Sequence, residues 1–363
     1  MKLNSLWLVA LLLASVVAVA AEQPPYRASD FAAVEKVDTH VHLHGALPTF
    51  MLRAAADNFR LLTINVNYSD FPPLSQQRSD ALALRLAHPD RVAFAATFDA
   101  TDSQRTGWAT QTERQLDDAF KEGAVAVKVW KDIGMQQRDA DGRAVMIDDA
   151  RFTPILRMLE ERGAVLLGHL GEPRNAWLPV AEMTIRSDRE YFTTHPQYHM
   201  HSHPEWPTYE QQIAARDRML DAHPKLHFVG VHLASLEWSI ERTAEFLQRY
   251  PNASVDLAAR LSHVQRQASV DRDRVRRFFI DFQDRILYAT DIACQGPQED
   301  SACAAEAHET WLSDWRFLSS ADRLHSDEFE ASFRGLSLPR DVIDKIYNGN
   351  ARKLFPTAWA KAQ

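Results

Sequence analysis

Cysteine is scarce: the chain of 363 residues contains only Cys294 and Cys303. The two lie close together in a polar stretch, Cys294-Gln295-Gly296-Pro297-Gln298-Glu299-Asp300-Ser301-Ala302-Cys303. In an exported protein such a pair is expected to close one loop as a disulfide, whereas in the cytoplasm it stays reduced. No basic run occurs and the formal net charge is −8, which argues against nucleic acid and against an anionic membrane surface as partners. No low-complexity tract interrupts the chain either. With 45% hydrophobic and 25% charged residues it can bury a large core, and its length suits two domains or one large barrel.

The start of the chain is the exception to this globular composition. Lys2, an apolar run from Leu6 to Val19, and then Ala20-Ala21 have the order of a secretory signal, so residues 1–21 are expected to be removed. Residues 22–363 then form one domain, periplasmic or secreted. The apolar run falls short of the roughly 20 residues of a spanning helix, which disfavours the alternative of an uncleaved anchor. No cysteine follows the small residues, which argues against a lipoprotein. Cleavage takes away one lysine and no acid, moving the charge from −8 to −9.

What the chain does have is histidine where strands are expected. The stretch Val37-Asp38-Thr39-His40-Val41-His42-Leu43-His44-Gly45 reads as a first strand. Residues two apart on a strand face the same side, so His40 and His42 can hold one metal ion. A lone His-x-His would equally suit a polar pocket. Three further ligand-type residues, however, end apolar runs: His169 after Leu166-Leu167-Gly168, His232 after Val229-Gly230-Val231, and Asp291 after Tyr288-Ala289-Thr290. Imidazoles and a carboxylate around an open position is the layout of a catalytic zinc site. One divalent ion, Zn2+ by default with manganese, iron or cobalt open, is the expected cofactor.

Apolar runs at 37–43, 61–67, 92–98, 125–130, 164–169, 228–232, 253–257 and 286–291 alternate with helical stretches at 49–58, 76–87, 110–122, 149–162, 209–222, 239–250 and 271–282. Strands alternating with helices require a parallel sheet, and eight such units predict a (β/α)8 TIM barrel with its site at the C-terminal strand ends. An open doubly wound sheet is disfavoured because no Gly-rich loop follows the first strand. The longest gap between strands, from His169 to His232, predicts a long insertion after strand 5 that serves as a binding loop or lid. It carries His195, His199, His201 and His203 among prolines and aromatics; His203 is taken as a substrate-binding candidate. Lys128, Trp130 and Lys131, at the end of the fourth strand, are further candidates, with buried ion pair, plain core and solvated surface as their ordinary alternatives.

The Asp38-Thr39-His40-Val41-His42 start, the strand-end His169, His232 and Asp291, and the closing Tyr347-Asn348-Gly349-Asn350-Ala351-Arg352-Lys353-Leu354-Phe355 together resemble the amidohydrolase superfamily. The branch most similar is family 2, which includes aminocarboxymuconate-semialdehyde decarboxylase and related lactonases and hydratases. The resemblance implies a mononuclear site in which His40, His42, His169 and Asp291 hold the metal, His232 is the catalytic imidazole, and Asp291 also carries a proton. It raises a second possibility at Lys128, because the strand-4 lysine of binuclear members is carboxylated and bridges two metals. It implies a barrel that commonly pairs into a homodimer, and leaves Trp311 and Trp315 to an interface or to a final helix. The expected activity is metal-dependent hydrolysis of a small amide, lactone or ester. Non-oxidative decarboxylation of a small carboxylic acid and a non-catalytic ligand-binding barrel are the alternatives.

Overall fold

The computed structural model describes residues 24–359, so the expected signal at 1–21 lies outside the described residues. Seven strands follow in order: β1 (Lys36–Leu43), β2 (Phe59–Ile64), β3 (Val92–Thr97), β4 (Ala126–Val129), β5 (Val165–Gly168), β6 (His227–Gly230) and β7 (Ala253–Asp256). The eighth position is filled by one strand in two pieces, β8 (Ile286–Leu287) and β9 (Ile292–Cys294). Every pairing in this sheet is parallel and runs in chain order. β8 joins β7 while β9 joins β1, so the two edges of the sheet are consecutive pieces of the same strand and the sheet curls into a barrel.

Helices cover the outside, as parallel connections require. The expected helix at 209–222 is found as Tyr209–Ala222; those at 49–58, 76–87, 110–122 and 239–250 shift by a residue or two at their ends, and that at 149–162 begins as a tighter turn, Ala150–Phe152, before the helix Thr153–Arg162. Between β7 and β8 there are two helices rather than one, Leu261–Val270 and Arg272–Asp281. Trp311 and Trp315 lie on the helix Asp300–Ser319 and are wholly buried; Trp311 stacks on Phe59 at 4.2 Å. They pack this helix onto the barrel, leaving neither of these two indoles for an interface.

Inside the barrel the side chains are small at β3 and β4, where Ala93, Ala95 and Ala126 point inward beside Leu62, Val165 and Val229. Phe355 and Trp359 from the C-terminal segment join this interior cluster, and the Trp359 indole donates to Leu61 O at 2.9 Å. They close the N-terminal mouth, opposite the strand ends that carry the histidines. The closing Asn-Gly-Asn-Ala-Arg motif anchors this plug. Asn350 donates to Gln283 O (2.7 Å) and Ile286 O (2.8 Å), while Asn348 and Arg352 both reach Glu35 just before β1.

Cys294 and Cys303 are free thiols, both buried, which corrects the expected disulfide. The intervening segment is not an open polar loop: Cys294 is the last residue of β9, Cys303 sits in the first turns of the following helix, and its sulfur faces Ala293 O at 3.7 Å. Burial raises both thiols, leaving them unreactive.

Two predictions follow from the plug. Trp359→Ala empties a large buried site and lowers unfolding stability by about 3–5 kcal/mol in a denaturant titration. Burial would raise the Glu35 carboxyl, but hydrogen bonds from Arg60, Arg352 and Asn348 hold it at about 2 rather than 4.5. Because the folded value is depressed, the stability it contributes is present above about 4.5 and is lost as pH falls toward 2. Glu35→Gln should therefore flatten the fall of Tm across that window, modestly, since the pair is partly solvated.

Candidate metal centre

His40 and His42 arrive from β1 on the same face, with a bulge between Asp38 and Val41 in the pairing with β2. The bulge admits one extra residue and turns the strand at the point where the imidazoles leave it. Asp291 sits between β8 and β9 with φ 74°, and its N–H donates to His40 O at 2.8 Å. Asp38 secures that corner, accepting from Thr290 Oγ1 at 2.6 Å and from the Trp311 indole at 2.9 Å. Burial pushes the Asp38 carboxyl up to about 7 despite these donors.

His232 follows β6 in an unusual conformation. His232, Leu233, Ala234 and Ser235 all have φ of 57–58° and form a short left-handed turn of non-glycine residues. The turn folds back so tightly that a Cβ on Gly230 would lie 2.4 Å from Ala234 Cβ, which makes glycine obligatory there. Tyr209 OH donates to Ser235 O, Arg216 to Ala234 O, and Ser235 Oγ to Gly171 O at 2.8 Å.

The hydrogen bonds fix which edge of each imidazole faces the cavity. His42 Nδ1 lies 2.7 Å from Ile64 O and His232 Nδ1 lies 2.8 Å from Ala258 O. A carbonyl only accepts, so Nδ1 carries the proton in both rings and Nε2 presents a lone pair. His40 Nδ1 is held in the same way by the Asp256 carboxylate at 3.0 Å. The Nε2 atoms of His40 and His42 then approach Asp291 Oδ1 to 3.1 and 3.2 Å. One ligand atom each from His40, His232 and Asp291 falls within 4.8 Å of the others. His169 packs edge-on against His232 with ring centroids 4.2 Å apart, and its buried Nε2 has no hydrogen-bond partner.

Charge follows the same arrangement. Burial, then the Lys128 cation, lowers His40; burial and the cations Lys128 and Lys131 hold His169 well below its usual value; burial and the neighbouring His169 do so for His232. Burial alone would raise Asp291, but His40, His232 and His42 hold it well below the normal carboxylate range. Neutral imidazoles and an ionised carboxylate that converge acceptor edges on one point are the donor set a divalent cation requires, and the residues present fit a metal.

The cavity around this point measures about 460 Å³. Lys128, Trp130 and Lys131 line it with the histidines. Lys128 Nζ lies 3.3 Å from His40 Nε2, and burial lowers its amine to about 8. Lys131 is not a surface lysine: it is buried, ion-paired with Glu172 and hydrogen-bonded to Tyr191 OH at 3.0 Å, its ammonium 4.1 Å from the Tyr198 ring centre. His203 is the exception. It stacks on Trp206 at 4.1 Å, its Nε2 faces Pro196 O, and it does not reach the cavity. Sequence reasoning missed Asp256, Glu172, Asp188 and Arg260, which either line the cavity or hold its histidines.

Against proteins of known structure, the chain is similar to an uncharacterized TIM-barrel protein from Bordetella bronchiseptica, 15% identical over 90% of this chain and 100% of that one, with a TM-score of 0.51. 2,6-Dihydroxybenzoate decarboxylase from Rhizobium is 16% identical over 89% and 99% of the two chains, at 0.49. 4-Oxalomesaconate hydratase from Rhodopseudomonas palustris is 14% identical over 89% and 96%, at 0.44. No protein of curated function matches the sequence. The amidohydrolase family matches residues 75–357, from the helix after β2 to the C-terminal plug. The match begins downstream of β1, and the fold supplies that strand with its two histidines against Asp291; the chain belongs to amidohydrolase family 2, metal-dependent enzymes that include hydrolases and decarboxylases.

Proposed function

We propose that the protein is a hydrolase of a small carbonyl compound, an amide, lactone or ester, acting with one divalent metal ion, Zn2+ by default. The observation that carries this reading is the convergence of Nε2 lone pairs and the Asp291 carboxylate on one point in an aromatic-walled cavity. His40, His42, His169 and Asp291 would hold the ion, which supplies a water with its pKa lowered to about 7 and polarises the substrate carbonyl. His232 is left as the proton-transferring imidazole. Its Nδ1–H is committed to Ala258 O, so Nε2 can take a proton, and its lowered basicity lets it give that proton up to a leaving group. Asp291, ionised and partly exposed, shares the proton with it. An export signal at 1–21 is part of the same proposal and places the substrate outside the cytoplasm.

The Lys128 amine beside His40 favours a second reading, in which it holds a substrate carboxylate that leaves as CO2. Release of CO2 during turnover separates the two, since hydrolysis of an ester, lactone or amide yields none.

Four outcomes are expected. Protein purified without chelators contains about one metal equivalent per chain by elemental analysis; about two would mean that Lys128 is carboxylated and bridging. Hydrolysis of a panel of small lactones, esters and anilides stops on exhaustive chelation and returns with zinc; activity that survives chelation, or persists in His40→Ala, sinks the proposal. His169→Ala loses metal, whereas His232→Ala keeps it and loses about 10²–10⁴ in kcat; the reverse pattern would exchange their roles. Asp256→Asn, which removes the charge behind His40, weakens metal binding by about 10–100-fold in a competition titration.

A further inference from the structure

A second cleft lies outside the barrel. It is bounded by the helix Leu261–Val270, the helix Asp300–Ser319 and a two-stranded hairpin, β10 (Arg323–Ser326) and β11 (Ala331–Arg334), that adds nothing to the barrel sheet. Its volume is about 870 Å³, larger than the metal cavity and within the range of about 300–1,000 Å³ common for small-ligand sites. Leu257, just after β7, and Thr290, the residue before Asp291, belong to its lining. Ser187 and Ala259 line both the cleft and the metal cavity. Both are small and exposed, so the two spaces meet at a point where no bulky side chain stands between them. The hairpin fixes one side of this junction: Glu328 O accepts from the Arg186 N–H at 2.9 Å, and Glu328 Oε2 from the Ser187 N–H at 2.8 Å.

The charged groups of the cleft are taken up by one another. Arg316 pairs with Asp322 at 3.2 Å, Arg186 with Glu328 at 3.9 Å, and His325 faces Asp327 at 3.3 Å. Asp314 accepts from Tyr288 OH at 2.8 Å. Glu309 and Arg323, the remaining two, are opposite in sign and exposed. What is left over is uncharged. Ser262 and Gln265 are three apart on one helix, Thr310 and Ser313 three apart on the other, and such a spacing puts each pair on one helix face. None of these four side chains has a hydrogen-bond partner among the described residues. A helical Ser or Thr commonly bonds back to its own helix, as Ser319 does to Trp315 O at 2.6 Å; Thr310 and Ser313 on the same helix leave their hydroxyls to the cleft. An ionic ligand would have to break the existing pairs, whereas a ligand rich in hydroxyls meets free donors and acceptors on both walls.

We propose that the cleft is the outer half of the substrate site and holds an uncharged, polyhydroxylated group of glycosyl type, joined past Ser187 and Ala259 to the part of the substrate that enters the metal cavity. This rests on the metal cavity being where the carbonyl reacts, and it deepens the proposed function: the substrate is a conjugate, and its hydroxylated part is held outside the barrel without reacting.

The test uses the full chain as purified and calorimetry with the methyl and phenyl β-glycosides of glucose, galactose, mannose and xylose, which carry no carbonyl to be attacked. At least one phenyl glycoside is expected to bind about 10–100-fold more tightly than its methyl counterpart, because its ring also enters the aromatic-walled cavity, and more tightly than phenol. Ser313→Trp, which fills the cleft from an exposed helix position, reduces that glycoside to the affinity of phenol, while phenol binds as in wild type. Gln265→Ala weakens the glycoside about 3–10-fold; because it removes no hydrogen bond among the described residues, it carries the test if Ser313→Trp does not fold. No glycoside bound, phenyl glycosides no tighter than methyl ones, or an affinity that the variants leave intact overturns the proposal. Glycosides bound in this way by a protein that hydrolyses none of the lactones, esters and anilides would remove the hydrolase reading while the ligand class of the cleft stands, so the two failures are distinguishable.

Discussion

The Asp256 carboxylate is the constraint on which the centre depends. One oxygen takes His40 Nδ1 at 3.0 Å, and the other accepts the backbone N–H groups of His232 at 2.7 Å and Ala258 at 3.3 Å. A single buried side chain thus ties β1, β6 and β7 together at their C-terminal ends. It sets the tautomer of His40, and through Ala258, whose carbonyl receives Nδ1 of His232, it sets that ring as well. Burying a carboxylate costs several kcal/mol unless its lone pairs are used, and here three donors use them. Asp38 plays the matching part on the other side of His40, accepting from the His40 N–H at 3.2 Å and from Thr290 beside Asp291. The metal-facing groups are held by acids that do not themselves face the metal.

The backbone around these groups is strained in a consistent place. Left-handed φ at His232 through Ser235, at Ala259 and at Asp291 falls at the ends of β6, β7 and β8, where the cavity opens. Each such non-glycine residue costs about 1–2 kcal/mol, and glycine would relieve that cost. At His232 and Asp291, however, the side chains are what the site needs. The offsetting bonds come from outside the site: Tyr209 and Arg216 of one outer helix both brace the turn that carries His232. The packing of that helix is therefore part of the geometry of the centre.

This division explains what could be read from the sequence. His40, His42, His169, His232 and Asp291 stand at the ends of apolar runs, and the barrel brings the ends of such runs together whatever their order, so their convergence was legible. Asp256 is the last residue of β7, one before the end of the run 253–257, and carries the same signal. Its partners, though, lie on β1 and on the turn after β6, and a carboxylate that serves other side chains looks from the sequence like any polar strand end. Glu172 and Arg260 lie beyond strand ends, where no periodicity marks them. The errors have a related origin. The histidines at 195–203 satisfy one another and their own backbone through stacking, as His203 does on Trp206, and the cysteine-bearing stretch looked polar only because a strand and a helix each contribute one buried face.

The connection 169–208 was expected as a binding loop or lid, and its contacts make it a wall of the cavity. Two buried polar anchors hold it, Glu172 to Lys131 at the end of β4 and Asp188 to His263 on the helix after β7. Met183, Phe192, Tyr198 and Met200 from the connection bury against Val66, Trp130 and Met135 of the barrel top. Lifting the segment would expose that cluster and leave charges buried without partners, at about 3–5 kcal/mol for each broken pair. The ionic role of Lys131 is consequently structural: its charge is cancelled by Glu172, and its ammonium lies between Tyr191 and Tyr198. A cavity whose wall is fixed in this way admits substrates by fit to a preformed space.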